Sequence, residues 1–268
     1  MPPTPLRDLP SAVCRGLRWV LADIDDTLTS DGRLEAAAYA ALERLHDAGL
    51  HVVPITGRPA GWCDLIARFW PVDAVVGENG ALCMRYDRGR RAMRTIFWQD
   101  GAERAASRLR LTALAERILR EVPGTALASD QPYRACDLAI DIAEDVVPLP
   151  PAAVARVVAL FAEAGASAKV SSIHVNGWFG DWDKLRMTRR LFAEQWDADL
   201  DAVREQVVFI GDSPNDAPMF GHFPHAVGVA NVARYLDGIA AAPAYITAHP
   251  GGAGFVELAE TILAARVR

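Results

Sequence analysis

The first chemical signal in the sequence is Asp23-Ile24-Asp25-Asp26-Thr27. These residues end and follow a short apolar run at 18–24, which suits a buried parallel strand. In an open parallel sheet, ligands bind at the carboxyl ends of the strands. Three carboxylates at a strand exit repel one another. A cation relieves that repulsion, and oxygen-only ligands suit Mg²⁺. For such a cluster standing alone, the plain alternative is a solvated acidic turn capping the next helix.

A second cluster answers the first. Gly211-Asp212-Ser213-Pro214-Asn215-Asp216 follows the apolar strand 207–210. If the two strands are neighbours, Asp23, Asp212 and Asp216 can ligate one Mg²⁺, with Ser213 and Asn215 orienting the carboxylates. Thr56-Gly57-Arg58-Pro59 follows another apolar run, Val52 to Ile55. A threonine hydroxyl and the freed backbone N–H groups around Gly57 can hold a phosphate at a helix start. Lys184 stands near the start of a helix expected at about 183–196, where its ammonium can neutralise phosphate charge. Only Lys169 and Lys184 are lysines among 28 basic residues, so each is a candidate for chemistry that arginine performs poorly.

Together these groups suit phosphoryl transfer, which needs an in-line nucleophile, a metal, and cations or N–H groups around the equatorial oxygens. An aspartate can attack phosphorus to form an aspartyl-phosphate. A carboxylic acid two residues on can protonate the leaving alcohol, then deprotonate the hydrolytic water.

The elements that must position these residues alternate. Helices are expected at 34–48, stopped by Gly49, and at 59–69; strands are expected at 50–55 and 73–77. That rhythm implies an α/β fold, a Rossmann-like parallel sheet. The pattern then changes to a hairpin around DRGRR (80–86 and 92–98), a helix at about 102–121, a strand at 137–142, a helix at about 150–164 and a strand at 168–176. This α+β module is expected as an inserted domain at 86–178, between core segments 1–85 and 179–268. Hinges are expected near 86–91 and 177–182. The α/β rhythm then returns and ends in a helix at about 252–266.

DIDDT, ITGRP, Lys184 and GDSPND resemble, in order, the four motifs of the haloacid dehalogenase (HAD) superfamily. The insert lies between the second and third. Its placement and Gly77-Glu78-Asn79-Gly80-Ala81 resemble the Cof-type branch, subfamily IIB, with a C2-type cap. The resemblance covers nearly the whole chain. It implies Asp23 as nucleophile and Asp25 as general acid/base, with the Asp25 backbone carbonyl also on Mg²⁺. It further implies Thr56 and Lys184 as phosphoryl ligands and Asp212 and Asp216 as metal holders. The cap is similar in layout to those of sucrose-, trehalose- and mannosylglycerate-phosphate phosphatases, but no substrate-defining motif matches any one of them.

Within the insert, Ser172, His174 and Asn176 share one face of the expected strand and can hydrogen-bond sugar hydroxyls. Arg58 and Asn79 stand near strand ends and join them as substrate candidates. Trp178, Phe179 and Trp182 are assigned to packing at the domain joint, and Arg85 to Arg94 to a solvated basic hairpin.

The net charge of −6 argues against general affinity for nucleic acid or anionic membrane. No apolar run reaches the roughly 18 residues of a membrane span, and the N-terminal stretch lacks the apolar core of a signal peptide. The four cysteines form no CxxC pair and suit reduced thiols in a cytoplasmic protein. The expected function is a Mg²⁺-dependent phosphatase acting on a small phosphorylated metabolite of the sugar-phosphate class, as a monomer or small homo-oligomer. The enzymatic rival is a phosphomutase of the phosphomannomutase type. The non-enzymatic rival is a phosphorylatable receiver-like domain. Receivers are shorter, at about 120 residues, lack an insert, and place their acidic pair before the phosphorylated aspartate.

Overall fold

The structure, a computed structural model, describes residues 2–171 and 173–266. Six parallel strands form the core sheet, in the order Thr4–Pro5, Tyr245–Ile246, Val227–Gly228, Val207–Gly211, Trp19–Ala22, His51–Pro54. The two strands that carry the acidic clusters are therefore neighbours. Ala22 pairs with Ile210, and the Asp23 N–H donates to the Ile210 carbonyl at 2.9 Å. Both clusters leave the sheet at the same level.

Side chains alternate across this sheet, as strands buried on both faces require. Val20, Ala22, Val208 and Ile210 pack on one face beneath the helices Ala36–Asp47, Ala60–Phe69 and Gly251–Arg266. Trp19, Leu21, Val207 and Phe209 pack on the other against Met187, Leu191 and Phe192 of the helix Lys184–Trp196. Each such fully buried aliphatic or aromatic side chain stabilises the fold by about 1.5–3 kcal/mol.

A second body rises over the carboxyl edge. Its four-stranded antiparallel sheet runs Ser167–Val170, His174–Trp178, Leu138–Asp141, Ala126–Leu127. The helices Gly101–Glu121 and Pro151–Glu163 cover one face, with Ile118, Ile140, Leu160 and Phe161 in a hydrophobic cluster of its own. The first of these helices starts at a capping box, in which Asp100 and Glu103 each accept the other's backbone N–H.

Three expectations are corrected. The strand expected at 168–176 is a hairpin, because Ser171 closes a turn: its N–H donates to the His174 carbonyl and its Oγ accepts the His174 N–H. The strand Val75–Gly77 joins the core sheet only through one parallel bridge, Ile55 to Val76. Its main partner is the antiparallel strand Leu82–Asp87. Finally, the hairpin Leu82–Asp87 and Ala92–Phe97 packs on the core, not the insert. Leu82 and Met84 join the hydrophobic cluster of one sheet face and Cys83 that of the other. The joint expected at 86–91 is the tip of this hairpin, and the chain crosses to the cap after Trp98.

Candidate active site

Two buried acidic loops and one buried lysine form the centre. Asp23, Asp212 and Asp216 are all buried and present carboxylate oxygens within 4.8 Å of one another. Lys184 Nζ lies 2.6 Å from Asp23 Oδ1 and 2.7 Å from Asp216 Oδ1. The other Asp216 oxygen accepts the N–H groups of Asp212 and Ser213. Asp216 thus has both oxygens engaged and ties the lysine to the loop. Gly211 is required here, because a Cβ on it would stand 2.4 Å from Asp216 Oδ2.

One ammonium faces three carboxylates, and the titration behaviour reflects the imbalance. Burial raises Asp23 well above the usual carboxylate range; Lys184 opposes that rise, while Asp216, Asp212 and Asp25 add to it. Burial, then Asp216 and Asp26, push Asp212 up to about 8. Burial alone would lower Lys184, but Asp216 and Asp23 more than offset it, so the lysine stays charged. The site therefore fits a hard divalent cation. Its donors are oxygens, it is short of positive charge, and the Asp25 backbone carbonyl accepts no hydrogen bond among the described residues. Asn231 was not foreseen. Its amide donates to the Asp26 carbonyl at 3.1 Å and to Asp212 Oδ2 at 3.3 Å, so it aligns the two loops. Its place just after the strand Val227–Gly228 was the available signal.

A cavity of about 30 Å³ separates this centre from the cap, room for one or two waters. Asp23, Asp25, Gly57, Arg58, Asn79, Asp212, Ser213 and Asn215 line it from the core, and His174 and Asn176 from the cap. Of the expected site residues, Thr56, Lys184 and Asp216 are not in its wall. The Thr56 hydroxyl accepts the Arg58 N–H at 2.9 Å and shapes the loop. The Gly57 N–H, in the wall, has no partner among the described residues. Ser172 lies outside the described residues. Ser213 Oγ donates to Asn215 Oδ1 at 2.8 Å.

The cap is shut by contacts that the sequence did not reveal. Arg58 clasps Asp25 through Nε and Nη2, at 2.8–3.1 Å, and reaches Glu144 Oε1 of the cap through Nη1 at 3.1 Å. His174 Nε2 sits 2.9 Å from Glu144 Oε2, in contact but off the line of a good hydrogen bond. His174, then Arg58, hold Glu144 down at about 2 against the opposing effect of burial. Deeper in, Arg134 is buried between Asp130 and Asp137 and donates to the Gly57 carbonyl at 2.9 Å. Glu78 of the core accepts the N–H groups of Ala60 and of cap residues Ala135, Cys136 and Asp137. Burial, then Asp137, push Glu78 up to about 7, while the Ala135 N–H and Arg134 pull the other way. Trp178, Phe179 and Trp182 are buried at the joint, the two indoles stacked at 5.8 Å.

Residues 20–100 match the family model of haloacid dehalogenase-like hydrolases. No curated protein matches the sequence. Among solved structures, a Thermoplasma acidophilum protein superposes with a TM-score of 0.67 at 19% identity, covering 92% of this chain and 98% of its own. A haloacid dehalogenase-like hydrolase from Bacteroides thetaiotaomicron gives 0.65 at 16% identity, covering 92% and 99%. The sucrose-phosphatase from Synechocystis sp., solved with sucrose and phosphate, gives 0.64 at 15% identity, covering 92% and 98%. Residues 20–100 thus match the haloacid dehalogenase-like hydrolase model by sequence, and nearly the whole chain shares the fold of these solved structures.

Proposed function

We propose that the protein is a Mg²⁺-dependent phosphatase of the cytoplasm that hydrolyses a small phosphorylated metabolite of the sugar-phosphate class. The observation that carries this reading is the setting of Asp23. It is a buried carboxylate at a strand exit, gripped by Lys184, beside Asp212, with Asp25 two residues on and a polar cap overhead. The sucrose-phosphatase of like fold supports the substrate class.

In this reading an Asp23 oxygen attacks phosphorus as the ester P–O bond breaks. Asp25 gives its proton to the departing alkoxide, which leaves as an alcohol. Asp25 then takes a proton from a water as that water attacks the aspartyl-phosphate, and inorganic phosphate leaves with the Asp23 carboxylate restored. Lys184, which grips the attacking carboxylate, and the Gly57 N–H, which has no partner among the described residues, would meet the phosphoryl oxygens. Asp23, Asp212 and the Asp25 carbonyl would hold the Mg²⁺, which supplies charge neutralisation for the phosphoryl group. Asp216 would keep Lys184 and the Asp212 loop in place. Arg58 must release Asp25 before Asp25 can act as an acid.

The test is phosphate release from a panel of phosphorylated sugars with Mg²⁺, by wild type and Asp23→Asn. Wild-type turnover that falls by at least about 10³-fold in the variant supports the reading. Equal turnover by the two would remove Asp23 as nucleophile.

A further inference from the structure

Lys169 is the lysine that the catalytic centre does not use. It stands on the cap strand Ser167–Val170 and lines the cavity. Its strand register pairs it with Asn176. Directly opposed residues of an antiparallel pair project from the same face, so Lys169 shares the core-facing side with Asn176, another wall residue.

The other cations around the cavity have carboxylate partners. Arg58 is held by Asp25 and Glu144, and Arg134 by Asp130 and Asp137. His174 faces Glu144. Lys169 differs: it is exposed on its strand at the edge of the cavity, and among the described residues no carboxylate lies within 4.0 Å of its ammonium. At the other end of the cavity stand Asp23 and Asp212, where the phosphatase reading puts a metal and a phosphoryl group. The cavity therefore has an acidic, metal-binding end in the core and, in the cap, one cation without a carboxylate partner among the described residues.

We propose that Lys169 is a specificity residue and that the substrate carries a second anionic group, a carboxylate or a further phosphate, on the part remote from the scissile ester. This rests on the phosphatase reading and narrows its substrate class. A neutral sugar phosphate presents only hydroxyls to the cap. Those bring no counter-charge to the ammonium. An anionic tail would form a charge-assisted hydrogen bond with it, stronger than one between neutral groups. The other lysine, Lys184, could not serve the tail, because it is buried against Asp23 and Asp216.

The experiment measures kcat/KM with Mg²⁺ for two matched substrate pairs. One is 3-phosphoglycerate against glycerol 3-phosphate; the other is fructose 1,6-bisphosphate against fructose 6-phosphate. Wild type, Lys169→Ala, Lys169→Glu and Lys169→Arg are compared. In at least one pair, wild type should favour the more anionic member. The charged-to-neutral ratio for that pair should fall about 10–100-fold in Lys169→Ala, fall further in Lys169→Glu and recover in Lys169→Arg. Which pair responds separates a carboxylate from a second phosphate. A ratio that Lys169→Ala leaves unmoved, or a wild-type preference for the neutral member of both pairs, overturns the proposal. Turnover of p-nitrophenyl phosphate without charge preference sinks this inference alone. No Mg²⁺-dependent turnover of any of these esters sinks the phosphatase reading with it.

Discussion

Arg58 Nη1 and Glu144 Oε1 lie 3.1 Å apart across the boundary between core and cap, and the same guanidinium grips Asp25. One side chain thus links closure of the cap to the availability of the residue assigned as acid and base. Substitution Glu144→Gln removes the cap's charge from this link. The variant should populate an open form, seen as a larger radius of gyration by small-angle X-ray scattering. An unchanged radius would show that Glu78 and Arg134 hold the cap without help.

Two carboxylates at this boundary give stability opposite slopes with pH. Glu144 is held at about 2, below its ordinary 4.5, so its contribution is present above about 4.5 and lost as pH falls toward 2. Because Glu144 is partly exposed and solvent screens its pairing, that loss is on the order of 1 kcal/mol. Glu78 is raised to about 7, so its contribution is full below about 4.5 and lost as pH rises through 7. Urea unfolding across pH 2.5–8 should show the acid-side fall in wild type and a shallower one in Glu144→Gln. Parallel acid limbs would reject the Glu144 assignment.

Lys184 is the sole ammonium between two buried carboxylates. Removing one partner of a buried pair costs about 3–5 kcal/mol. Lys184→Met should therefore lower Tm by an amount on the order of 10 °C. Mg²⁺ should recover part of that loss, since it addresses the same oxygens. A Tm within about 2 °C of wild type would contradict the pairing.

Wild-type protein should itself gain Tm on addition of Mg²⁺, by roughly 2.7 kcal/mol of stability at 100 times Kd. Chelation should reverse the gain and stop phosphate release. Asp212→Asn should blunt both responses; a variant with the wild-type Tm rise would place the ion elsewhere.

Gly211→Ala forces a methyl against Asp216 Oδ2 and so displaces the residue that positions Lys184 and the Asp212 loop. Turnover should drop at least about tenfold, with about 1–3 kcal/mol of destabilisation from overpacking. Gly238→Ala, at an open position, is the control and should change neither quantity. Equal turnover in the two variants would show that Asp216 tolerates displacement.

The core site was legible because its signals are local. Asp23 and Asp212 each follow an apolar run at a strand exit, and neighbouring strands then bring them together without further information. The cap was less legible for the opposite reason. Glu78 meets Ala135, Cys136 and Asp137, and Arg58 meets Glu144, across dozens of residues, and neither periodicity nor capping chemistry encodes such partners. The break at Ser171 escaped notice because a serine side chain, not glycine or proline, closes that turn. The hairpin Leu82–Asp87 and Ala92–Phe97 was read correctly as a hairpin but assigned to the wrong body, since strand pattern does not say which hydrophobic cluster a strand joins.

The chain passes into the cap and back along adjacent paths. Trp98 Nε1 donates to Asp181 Oδ1 at 3.0 Å, and Gln99 Nε2 donates to the Phe179 carbonyl at 2.9 Å. With both connectors stitched together at one edge, everything between them is in effect a cassette. Another module with similarly spaced ends could be spliced in without altering the order or register of the six parallel strands, so whatever closes over the carboxyl edge can be exchanged while the acidic loops beneath it stay as they are.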